Sequence, residues 1–239
     1  MDRHACTLTL LLALFLTAIP AANGQSADFT VSQNGKPVGT AGFNFTSTSA
    51  GFDSTSIVRV SMQGLDYQLS KTERLSLSNR LVHVQLSAIV NGSAVHLTAV
   101  PDSAQLLMNI SANGRASTTR LDAHNLAVFL PDFDPGALET LLALAAANNN
   151  RDLWAILPRL SGKVEPVQLA TYADEQGTLD AKPVTVHHLV ATIGGEDTHL
   201  FSGLENQLLQ AELPQEGFAL VRDGFTLTPP AKPIAAPAP

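Results

Sequence analysis

Between residues 28 and 130, apolar and polar side chains alternate with a period of two, and turn signals interrupt the alternation at short intervals. A strand sends successive side chains to opposite faces, so this pattern excludes a helical bundle for the first half of the chain. Residues 81–100 carry the clearest instance. Asn91-Gly92 supplies the two-residue loop of a type I′ turn, both of whose central positions need positive φ. That turn sets Val90 opposite Ser93. Val82, Val84, Leu86, Ala88 and Val90 then share a face with Val95, Leu97 and Ala99. His83, Gln85 and Ser87 lie on the other face, across from Val100, Thr98 and His96. One apolar face and one polar face define a half-buried antiparallel sheet rather than a parallel α/β core.

The same reading places an opening hairpin at Phe29–Val31, Asn34-Gly35 and Gly42–Phe45. Strands continue at 57–60 and 65–69, with Leu75 and Leu77 still alternating, and at 105–111 and 115–119. The pattern then changes to that of a helix near 135–148. Asp134 is its cap, Pro135 occupies the first turn where a missing amide costs little, and Phe133 is placed to staple onto Leu138. Leu138, Leu141, Leu142 and Ala145 mark one face, widened by Leu144 and Ala146, so the helix must be largely buried. Asn148-Asn149-Asn150 ends it. A second β set follows: 154–158, 164–173, a turn at Glu175-Gln176-Gly177, 184–193, a Gly194-Gly195 turn, 198–201, 207–213 and 218–222. The expected fold is mainly β (α+β): a curved antiparallel sheet or incomplete barrel packed around one central helix. A single domain over 25–228 is the expectation, and two small domains divided near residue 130 are the alternative.

The two ends read differently. Residues 8–19 form an apolar run of the length of a signal-peptide core, too short to span a bilayer, and Pro20 breaks it. Ala22 and Gly24 place small residues where a signal peptidase reads, so 1–24 is expected to be a cleaved export signal. The one cysteine, Cys6, precedes the apolar run, where lipidation of an exported protein does not occur, and the mature chain then has none. A domain of this size buries enough core to dispense with disulfides, which fits a bacterial periplasm or secretion from a bacterium. Residues 229–239 are proline- and alanine-rich and are expected to form an extended tail. No transmembrane segment is expected after signal cleavage.

The net charge is −7, with lysines and arginines scattered singly. Neither nucleic-acid binding nor docking on an anionic membrane is expected of such a surface. The chain contains no nucleophile elbow, phosphate loop, dinucleotide fingerprint or zincin motif, and no cofactor is expected. Asp132 and Asp134 read as helix-capping residues rather than as paired catalytic acids. Among the histidines, 83 and 96 are not cross-strand neighbours. His187, His188 and His199 cluster with Glu196 and Asp197, but adjacent strand residues face opposite ways, and His188 falls opposite Phe201. His188 and His199 are the weak metal candidates. Catalysis is not the expected role.

Three segments carry a resemblance: 126–131 running into the helix, 154–158 just after it, and 205–214 leading to 219–223. Together they resemble exported, largely uncharacterised bacterial proteins with a curved sheet like that of the LolA/LolB lipoprotein carriers. The resemblance implies a concave sheet face that takes acyl chains, although this chain has less helical lid material than those carriers. The expected function is a non-enzymatic binding protein holding a lipid or other apolar ligand between sheet and helix. Phe133, Leu138, Leu142, Trp154 and Ile156 are the expected lining, though the same side chains can simply fill a core. The alternative is a structural or assembly factor of the cell envelope that acts on a partner protein through a strand edge or sheet face.

Overall fold

The computed structural model describes residues 25–159 and 162–229. The expected export signal and almost all of the proline-rich tail lie outside these residues. The chain before the helix is an antiparallel meander of eight strands: β1 (Gln25–Gln33), β2 (Lys36–Thr48), β3 (Gly51–Met62), β4 (Leu65–Ser76), β5 (Leu81–Val90), β6 (Ser93–Asp102), β7 (Gln105–Ala112) and β8 (Arg115–Asp122). Asn-Gly pairs close three of its hairpins. At Asn91-Gly92 both residues have positive φ, 49° and 77°, and Val90 pairs with Ser93, so turn chemistry fixes the register as the sequence requires.

The polarity of the chain changes at β9 (Ala127–Phe129), α1 (Pro135–Ala147) and β10 (Trp154–Leu157). β9 and β10 run parallel, because the helix carries the chain back before it re-enters the sheet. The remainder comprises β11 (Lys163–Thr171), β12 (Glu175–Leu179), β13 (Lys182–Ile193), β14 (Glu196–Ser202), β15 (Leu208–Leu213), β16 (Phe218–Arg222) and β17 (Phe225–Leu227). β1 pairs with β2 on one side and β16 on the other, joining strands from before and after the helix into one hydrogen-bonded sheet. The sheet is open and curves around α1, which packs against β2, β3, β9 and β15.

The core lies on the concave side. Inward residues of β1 to β7, such as Phe29, Val31, Val58, Leu69, Val84 and Met108, form one continuous buried cluster with Leu138, Leu141 and Leu142 of the helix. A second, smaller core lies on the opposite face, where Val186, Phe201, Leu209 and Phe225 pack together. It is covered by a ribbon: β12 pairs with the first half of β13 and with β17, while β11 pairs with the second half of β13. Adjacent residues Leu208 and Leu209 are therefore both fully buried, one in each core. No helix among the described residues is long and apolar enough to cross a membrane.

Three local expectations are corrected. Glu175-Gln176-Gly177 is not a turn but the start of β12. A Cβ on Gly177 would stand 2.8 Å from the Phe225 ring, so the glycine there serves close strand approach rather than a bend. Val82 does not join the apolar face. A bulge shifts the β4–β5 register from Arg74–His83 to Leu75–Leu81, which turns Val82 outward. Ala146 is exposed, because in the last turn of α1 it is Leu144 and Ala145 that face the core.

Candidate functional site

The segment between β9 and α1 organises the best-formed cleft. Phe133 adopts a left-handed backbone, φ 56°, which is costly for an aromatic residue and persists only where its surroundings hold it. Its ring is set edge-on to Tyr67 and Phe218, with centroids 5.9 and 4.7 Å away. The aspartates flanking it enter different environments. Asp132 faces the rim, where Arg159 Nε donates to its Oδ1 at 2.7 Å and Glu216 lies 3.8 Å from the same guanidinium. Asp134 turns inward and caps α1, its Oδ1 accepting from the amides of Gly136 at 2.9 Å and Ala137 at 3.2 Å. The two carboxylates thus do not form a pair.

Between this segment and the concave face of β13 to β16 lies a cavity of about 110 Å³. Phe133, Leu138, Ile193, Leu213 and Leu220 give it an apolar interior, and Asp132, Arg159 and Glu196 line its polar side. For scale, a dry cavity of about 150 Å³ accommodates benzene. The space suits a small ring or a short aliphatic segment. It does not hold a whole acyl chain, because α1 occupies the concavity that such a chain would fill.

Of the five expected lining residues, the structure brings only Phe133 and Leu138 to this cavity. Leu142 lies further along the helix, at a depression shared with Thr171, His187 and Ser202. Ile156 is buried at the base of another depression, beside Leu81 and Leu106. Trp154 stacks on His124 with ring centroids 3.6 Å apart and 12° between planes. Strand alternation and the length of α1 separate these groups, although all come from one short stretch of chain.

His188 and His199 sit on the outer side of β13 and β14. His188 pairs with Phe201 in the ladder, as the Gly194-Gly195 turn requires, and stacks on its ring. His199 still reaches it diagonally: His188 Nε2 and His199 Nδ1 are 3.1 Å apart. The other ring nitrogen of His188 lies 3.0 Å from Glu175 Oε1, supplied by the unforeseen strand β12. Both nitrogens of His188 thus have protein partners. His187 points elsewhere and meets Asp174 at 2.8 Å. Among the described residues no three His, Cys, Asp or Glu side chains form a metal-binding group.

Sequence reasoning passed over two buried ionisable sites. Lys71 and Glu73 occupy the inward row of β4 with Tyr67, Leu69 and Leu75. Lys71 Nζ lies 2.7 Å from Glu73 Oε2 and 2.7 Å from Asp134 Oδ2, and the three side chains are at most 1% exposed. Burial pushes the Glu73 carboxyl above its usual range, more than Lys71 pulls it down. Burial alone would lower Lys71, but the facing carboxylates of Asp134 and Glu73 together hold it above its ordinary value. The second site is Glu139 on α1, which accepts from the Leu208 amide and from Gln25 Nε2, each at 2.7 Å. The signal for Lys71 and Glu73 was their parity, because charged residues there interrupt an otherwise apolar inward row.

Compared with family models, curated proteins and solved structures, the chain matches none.

Proposed function

We propose that this chain is an exported, non-enzymatic binding protein that holds the apolar end of a small amphipathic ligand in the cavity between α1 and β13–β16. The observation that carries the reading is the pairing of an apolar interior, Phe133 and Leu138 against Leu213 and Leu220, with a charged rim at Arg159 and Asp132. Such a site favours an apolar group with an anionic or hydrogen-bonding head that competes for the Arg159 guanidinium. The left-handed Phe133 supports it, since backbone strain of this kind is retained at ligand clamps. The export signal read at 1–24 and the resemblance to apolar-ligand carriers agree with this role, with the ligand reduced to what about 110 Å³ admits.

The test is native mass spectrometry of the chain purified from the periplasm, followed by extraction and binding of short-chain fatty acids. Leu138→Trp, which fills the cavity, should reduce binding at least tenfold while the far-ultraviolet spectrum is kept. An empty protein that binds no such acid, or a Leu138→Trp variant that binds as well as the parent, overturns the proposal. Stable recovery of one envelope protein in place of a small ligand would support an assembly role, for which the outer edge of β8, paired among the described residues only with β7, offers a site. Arg115 and Arg120 on that strand discourage indiscriminate pairing.

A further inference from the structure

Two carboxylates and one ammonium meet inside the core, each at most 1% exposed. Left fully ionised, Lys71, Glu73 and Asp134 would bury a net negative charge, which the interior resists. Uptake of one proton makes the group neutral, and a neutral cluster can also exist as an amine facing two carboxylic acids. That distribution is the reactive one. An unprotonated amine is a nucleophile, and a carboxylic acid is a far better electrophile than a carboxylate.

The geometry points to an intramolecular isopeptide bond between Lys71 Nζ and Asp134 Cγ, formed with Glu73 as the proton shuttle. Asp134 rather than Glu73 is the acyl partner, because only Asp134 has an oxyanion site. Its Oδ1 already accepts the amides of Gly136 and Ala137 at the N-terminus of α1. Its other oxygen, Oδ2, lies 2.7 Å from Nζ yet has no hydrogen bond of good geometry. Gly136 is needed at that turn, because a side chain there would collide with Ser56 Oγ.

The step balances without a redox partner. With one proton taken up on Asp134 Oδ2, the Glu73 carboxylate accepts a proton from the Lys71 ammonium and leaves a neutral amine. The Nζ lone pair forms a bond to Asp134 Cγ, and the carbonyl pair moves onto Oδ1, between the two amides. Glu73 delivers a proton to Oδ2 and takes one from Nζ. The pair on Oδ1 then restores the carbonyl as the Cγ–Oδ2 bond breaks. Products are the amide, one water that carries away Oδ2, and protonated Glu73. Burial raises the proton affinity of Glu73, which suits it to accept a proton from Lys71. The hydroxyls of Ser54 and Ser56, opposite Glu73 and Lys71 in the β3–β4 ladder and without protein partners, can hydrogen-bond the departing water. Fixed neighbours at this distance replace a bimolecular condensation with an intramolecular one, and exclusion of bulk water disfavours the reverse hydrolysis.

Intact-mass spectrometry of the purified, denatured chain tests this directly. The expected mass is about 18 Da, one water, below that of its own sequence. Proteolysis should yield a branched peptide joining the Lys71 and Asp134 segments, with no cleavage after Lys71. Glu73→Gln, folded by circular dichroism, should retain the full mass and a cleavable Lys71. Parent protein of full mass with Lys71 cleaved overturns the proposal whatever the variant does. A water loss that maps to Asp223-Gly224, or to an amide between Lys71 and Glu73, overturns it equally. A Glu73→Gln protein that still forms the bond removes the assigned role of Glu73. None of these outcomes depends on ligand binding at the neighbouring cavity.

Discussion

Glu139 shows what one buried carboxyl does to the whole chain's response to pH. Burial pushes its pKa up to about 7 from an ordinary 4.5, against the opposing effects of the Leu208 amide, Arg222 and Gln25. A carboxyl raised on folding makes the native state bind more protons than the unfolded state between those two values. Stability from this group is therefore full below pH 4.5 or so and is lost as pH rises through about 7, by an amount on the order of 3 kcal/mol. Urea denaturation from pH 5 to 8 should show that decline, and Glu139→Gln should flatten it. An unchanged slope in the variant would show that another group is responsible. Lys71 and Glu73 were legible as exceptions to an apolar row. Their partner Asp134 was legible only as a helix cap, because contact with Lys71 spans a long stretch of chain that no local pattern encodes.

At the level of elements, the helix and most strands follow from the residues. Asp134 and Pro135 start α1 where capping chemistry requires, and the asparagines end it, Asn149 and Asn150 adopting positive φ. The strands β12 and β17 were not readable in the same way. Each is short, Gly177 mimics a turn signal, and their apolar residues gain meaning only once the outer face of β13 and β14 is known to need a cover. Phe225→Ala removes the largest contact of that ribbon and should cost about 3 kcal/mol. Hydrogen exchange should show the loss concentrated in β12, β17 and the first half of β13. Uniform loss across β3 to β6 would contradict a separate small core.

For the molecule as a whole, β1 carries great topological weight, since it pairs along most of its length with β2 from before the helix and with β16 from after it. Phe29, 1% exposed on β1 and stacked on Phe43, should cost about 3–5 kcal/mol when changed to alanine. Trp154, the single tryptophan, reports on the region after the helix, whereas circular dichroism reports on every strand. Both probes should shift to lower urea together in Phe29→Ala. Separate midpoints would mean that the two halves fold independently. The sequence by itself determined that this chain makes a largely antiparallel sheet with one buried helix, and it set the register of hairpins such as Val90–Ser93. Period-two alternation and turn chemistry act between neighbours, so they can be read residue by residue. Only the tertiary structure decided which side chains line the cavity, that His199 reaches His188, and that Lys71 and Glu73 meet Asp134. Those juxtapositions depend on sheet curvature, on a bulge at Val82 and on a helix inserted between distant strands, none of which is fixed by any local stretch of residues.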